Sequence, residues 1–156
     1  MNELDEMHEL ERLWQESPHS DRFSMLRRDS KWGERIREEV IKGIENKQRR
    51  AIEDGILFLE ISPRYFRSGY YKAIIARKLK SAPLSAEQQE RLQRVILSAV
   101  AGRVGPEFNE FARLAIRVAD AEFMNEVEKR IPTSEGWVRG RLVRLLSRCK
   151  QHRCQA

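Results

Sequence analysis

The sequence predicts an all-α protein of stacked helical hairpins, on three observations. Apolar residues recur at helical spacing along nearly the whole chain. Each run is bounded by capping residues, glycine or proline. An apolar triplet at i, i+4, i+8 returns four times, as Ile36, Val40, Ile44, then Tyr71, Ile75, Leu79, then Phe108, Ala112, Ile116, then Val138, Leu142, Leu146.

Taken in order, Leu4, Met7, Leu10 and Trp14 predict an acidic amphipathic helix within residues 1–20, closed by the run Ser17, Pro18, His19, Ser20. Ser20 or Asp21 is placed to cap a short helix carrying Phe23 and Leu26, and Asp29 or Ser30 to cap the next. That next helix carries Trp32, Ile36, Val40 and Ile44 on one face, with Glu34, Arg35, Arg37, Glu38 and Glu39 on the other. A partner from about Lys47 presents Ile52, Ile56, Leu57 and Leu59 and stops before Pro63, because the residue preceding a proline avoids helical geometry. Tyr70 to Lys80 then turns Tyr71, Ile74, Ile75, Ala76 and Leu79 inward.

Ser85 followed three residues later by Gln88 predicts a capping box, in which the hydroxyl and the side-chain amide each satisfy a backbone N–H of the first turn. The helix it opens runs through Leu92, Val95, Ile96 and Val100 to Gly102, read as a left-handed stop. Gly105 and Pro106 open a helix with Phe108, Phe111, Ala112, Ala115 and Ile116. Asp120 caps another with Phe123, Val127 and Ile131, ended by Pro132. Thr133 or Ser134 is expected to cap the last, through Trp137, Val138, Leu142, Leu145 and Leu146. The β-rich run Ile56 to Ile61 lies at a helix end and has no second strand to pair with.

The triplets are separated by 35, 37 and 30 residues, the size of a helical hairpin repeat. The stretch Phe123 to Leu146, FMNEVEKRIPTSEGWVRGRLVRLL, resembles a HEAT repeat: an apolar helix, a short polar turn, then a Val-Arg pair, here Val138 and Arg139, opening the next helix. Elsewhere the pattern departs, since Phe108 precedes Asn109, Tyr71 precedes Lys72, and the turn aspartate is missing. The resemblance implies a HEAT-like α-solenoid whose surface binds another protein. The alternative arrangement is a compact bundle of six or seven helices.

A chain of 156 residues suits one domain, 1–156, with 149–156 expected as a disordered tail. With 40% apolar and 35% charged residues it is too apolar for a disordered chain and too charged to be mostly core. No run approaches the roughly 20 apolar residues a bilayer needs, and the amino end is acidic, so a cytoplasmic protein with reduced Cys149 and Cys154 is expected. Net charge is +6, unevenly spread. Residues 1–20 hold six carboxylates against Arg12, whereas residues 133–156 hold six cations, Arg139, Arg141, Arg144, Arg148, Lys150 and Arg153, against Glu135.

Signatures of catalysis are missing: there is no phosphate-binding glycine loop, HExxH, nucleophile elbow or paired-cysteine motif, and His8, His19 and His152 lie near the ends. Cys149, His152 and Cys154 lack a fourth metal ligand, so neither metal nor cofactor is expected. Glu53, Asp54, Glu60, Glu107 and Glu110 read as solvated helix faces. Two stretches stand out as partner-binding candidates. Arg64, Tyr65, Arg67, Tyr70 and Lys72 interleave cations with rings, and Arg141, Arg144 and Arg148 form a basic stripe with Trp137 one turn before it. The expectation is a non-enzymatic adaptor or regulator that uses these residues on another, acidic, protein. Nucleic acid, held through its phosphates, is the alternative.

Overall fold

Helix is the only regular structure among the described residues of the computed structural model, which are 36–62, 68–102, 105 and 107–155. The predicted helices upstream of residue 36 lie outside them. A π-helical segment, Ile36–Ile41, leads into α1 (Lys42–Glu45). There follow α2 (Arg49–Ile61), α3 (Ser68–Leu79), α4 (Ala86–Ala101), α5 (Glu107–Val118), α6 (Ala121–Arg130) and α7 (Gly136–Gln155). α7 continues past Cys149 to Gln155, so a helix stands where a disordered tail is expected.

Local chemistry sets most of the ends. α1 closes with Lys47 in the left-handed region (φ 57°), its amide donating to the Ile44 carbonyl (2.9 Å) and that of Gln48 to Gly43 (2.9 Å). This is a Schellman closure, built on lysine where glycine is the usual residue. α2 ends on Ser62, also left-handed (φ 51°), just before Pro63. The capping box at α4 forms as expected, with Gln88 N–H donating to Ser85 Oγ (3.2 Å) and Ser85 N–H to Gln88 Oε1 (3.0 Å).

Two predicted boundaries differ. Gly102 is extended (φ −90°, ψ 178°), not left-handed, because its carbonyl and that of Val100 accept from Arg141 of α7 (2.9 and 3.3 Å). A side chain from another helix thus satisfies carbonyls that a local turn would otherwise have closed. Thr133 turns backwards: its hydroxyl donates to the Arg130 carbonyl (3.2 Å) at the end of α6, and α7 starts only at Gly136.

Asp120 caps α6, accepting from Phe123 N–H (2.7 Å), and its second oxygen accepts from Gln93 of α4 (2.9 Å). These bonds hold its carboxyl below the ordinary 3.8, the Phe123 amide foremost. A lowered folded value means that the cap stabilises the protein above the ordinary carboxyl range and that this contribution is lost as pH falls through the folded value. Asp120→Ala is expected to cost about 1 kcal/mol in denaturant melts at neutral pH. Asp120→Asn should keep most of the cap while flattening the fall in stability toward acid.

The helices share one core. All of the first triplet is buried, as are Tyr71, Ile75 and Leu79, Phe108 and Ala112, and Leu142, while Ile116, Val138 and Leu146 pack at its margin. The helices that carry the triplets touch in order, the π segment and α1 against α3, α3 most extensively against α5, and α5 against α7. The intervening helices fill the other side: α2 packs on α1, α3 and α4, α4 on α5 and α7, and α6 on α7.

Candidate functional site

The charged groups sort by whether another helix has claimed them. Arg91 of α4 forks onto Glu60 of α2, its Nε and Nη2 donating to the two carboxylate oxygens (2.8 and 2.7 Å), and its Nη1 pairs with Glu53, which Gln88 also holds (3.0 Å). The bond to Glu60 is the main reason the guanidinium pKa is raised further. For Glu53, burial works upward but is outweighed by the hydrogen bonds from Arg91 and Gln88, and its pKa falls below the ordinary 4.5. Together they fasten α2 to α4.

Glu110 of α5 does the same for α3. Its Oε1 is buried and accepts from Arg77 (3.1 Å) and from Arg113 one turn along its own helix (2.7 Å). Glu107, also buried, lays its carboxylate over Gly69 in the first turn of α3, where a Cβ would stand 3.1 Å from Oε2. The positive end of the helix dipole favours an anion there. Asp54, Glu107 and Glu110 are therefore packed, not solvated as their sequence context suggests. The signal that was missed is their register: counted from Glu107, the residues Glu110, Phe111, Leu114 and Val118 stand at i+3, i+4, i+7 and i+11, so both carboxylates lie on the buried arc.

Of the predicted partner-binding residues, Arg64, Tyr65 and Arg67 lie outside the described residues. Tyr70 is 61% exposed, edge-on to Tyr71 with ring centroids 5.7 Å apart. Lys72 is only 6% exposed, since it shares the inward arc of Ser68, Ile75, Ala76 and Leu79, so it does not stand on the surface where a partner was expected to meet it. The basic stripe of α7 divides as well. Arg141 points inward to the end of α4, its guanidinium 4.3 Å from the Trp137 ring centroid and 5.2 Å from that of Phe108. Arg144 is exposed and Arg148 half-buried.

What α7 leaves outward is a mixed face. Trp137 is 55% exposed and Val143 48%, and between them a Cβ added at Gly140 meets nothing within 4 Å. Arg139, Arg144 and Ser147 are exposed along the same helix. Arg141 braces Trp137 from one side through the cation–π contact, so the indole is held on the surface by a residue fixed to α4. A groove of about 480 Å³ lies beside α1, but its lining includes charged pairs, Lys42 with Glu38 and Arg50 with Asp54 (3.9 Å). Among the described residues no cluster of histidine, cysteine, aspartate and glutamate is arranged to hold a metal, and Cys149 is a buried thiol. No described helix is long and apolar enough to cross a membrane.

No protein family, curated protein or solved structure matches this chain. The functional reading therefore rests on the site itself.

Proposed function

We propose that the protein is a non-enzymatic binding module, a short stack of helical hairpins that receives an acidic amphipathic helix on the outer face of α7. The observation that carries this is the pairing of Trp137 and Val143, exposed within two turns of each other, with exposed Arg139 and Arg144. Large apolar side chains gain from burial only against an apolar surface, and the flanking guanidiniums select one bordered by carboxylates. Tryptophan and arginine are also the side chains on which binding energy concentrates. Stacking is supported by the ordered contacts of the triplet helices, which join neighbours one after another from the π segment to α7. The buried thiol of Cys149 suits an intracellular setting.

The test is a titration of a synthetic acidic amphipathic peptide into the protein, followed by anisotropy at low and high salt. The expected result is binding that survives moderate salt, because part of it is apolar, and that falls at least about tenfold in Arg144→Glu with Trp137→Ala. Exposed arginines beside an indole also suit nucleic acid, through phosphate contacts and base stacking. Binding to duplex or single strands in preference to the peptide, collapsing steeply with salt, would replace the protein-binding reading.

A further inference from the structure

We infer that the acidic segment 1–20 of this same chain occupies the outer face of α7 when no partner is bound, and thereby sets the threshold for binding one. The inference rests on the docking reading above and adds the identity of the resident ligand.

Its basis is a double complementarity. The segment carries Leu4, Met7, Leu10 and Trp14 at helical spacing, with Glu3 four residues before Met7 and Glu11 four after it, so carboxylates are interspersed on the same side as the apolar residues. α7 presents the inverse, Trp137 and Val143 bordered by Arg139 and Arg144. The charges are opposite at the two ends of the chain: six carboxylates against one arginine in 1–20, six cations against one glutamate in 133–156. Three other cations near α7 are already engaged, Arg141 with the α4 carbonyls, Arg130 with Glu126 and Lys150 with Glu128.

Reach permits it within one chain. Residues 21–35 span about 50 Å at full extension and about 23 Å if wholly helical, and the row from the π segment to α7 is three helix spacings, about 24–30 Å, so the segment reaches α7 once the turn between the two predicted short helices is extended. Tethering decides between the chain's own segment and that of a second copy, because a short connection holds its end at about millimolar effective concentration. A second copy at micromolar concentration cannot compete with that. With an intrinsic dissociation constant of about 0.1 mM, the tethered segment would weaken an outside peptide about tenfold.

The experiment uses the full chain with a nitroxide on Gln15→Cys in a Cys154→Ser background, and reads line broadening of the backbone amides from Trp137 to Ser147. Isotope-labelled chains are diluted into unlabelled ones so that contacts within and between copies separate. The expected result is broadening within one chain at low salt, lost at high salt and in Arg139→Glu/Arg144→Glu. In parallel, Glu3→Gln/Glu6→Gln/Glu9→Gln/Glu11→Gln should bind the synthetic acidic peptide about tenfold more tightly than the unmodified chain. Broadening only between copies, with a doubled mass in gel filtration, overturns the proposal in favour of a second copy. If α7 is not broadened while the peptide still shifts its amides with equal affinity in both chains, the resident segment falls and the docking face stands. If the peptide leaves those amides unmoved in both chains, both readings fall.

Discussion

Leu142→Ala is expected to lower unfolding stability by about 2–5 kcal/mol, while Val143→Ala beside it stays within about 0.5 kcal/mol. Leu142 is 1% exposed and belongs to the last triplet, packed with the fully buried Leu145 into the common core. Truncation there removes the transfer free energy of the lost carbons and leaves a void the neighbouring helices fill only in part. Val143 is on the solvent side, with little contact to lose. Urea titration of both variants measures the difference. Similar losses at the two positions that persist at high salt, where the 1–20 segment is expected to be released, would mean that the fold itself covers the outer face of α7, and would remove the surface on which the binding reading rests.

Much of the helical organisation was legible because its determinants are local. The Ser85–Gln88 box and the Asp120 cap involve groups three residues apart, and the i, i+4, i+8 triplets report a face that any amphipathic helix must bury. One failure fell where a distant residue overrides the local rule. Gly102 reads as a left-handed stop until Arg141, 39 positions away, takes its carbonyl. Thr133, offered with Ser134 as the cap of the next helix, fails for a local reason instead, since its hydroxyl bonds back to Arg130 three residues earlier.

The same limit governed the charged residues. Counting carboxylates along a helix does not reveal that Glu110 meets Arg77, which is 33 positions away, or that Glu107 rests on the bare backbone of Gly69. Nor does an aromatic-basic stretch reveal that Tyr70 stands outside while Lys72, two residues on, stands inside. Residues two apart in a helix face nearly opposite ways, so such a stretch is never one surface. Arg141, Arg144 and Arg148 do share a side of α7, yet the first serves the fold by closing α4 and bracing Trp137. The apolar members of the outer face, Trp137 and Val143, carry as much of the functional reading as the cations do.

A second large effect is expected where two helices nearly touch. Alanine is favoured over glycine in a helix by about 1 kcal/mol, so Gly43→Ala in α1 would ordinarily stabilise. Here a Cβ at position 43 would lie 2.3 Å from the Ala51 Cβ of α2 and 3.1 Å from Gln48 Oε1. Neither Cβ can turn aside, since each is fixed to its backbone, and the two helices must separate. Overpacking of this kind costs about 1–3 kcal/mol, enough to reverse the propensity gain. Gly43→Ala is therefore expected to destabilise, and Ala51→Gly added to it should recover part of the loss despite the poorer propensity of glycine in α2. A double-mutant cycle by thermal or urea unfolding isolates this coupling. A coupling near zero, with Gly43→Ala stabilising on its own, would mean that α1 and α2 stand further apart, and would loosen the packing of the π segment and α1 from which the row toward α7 begins.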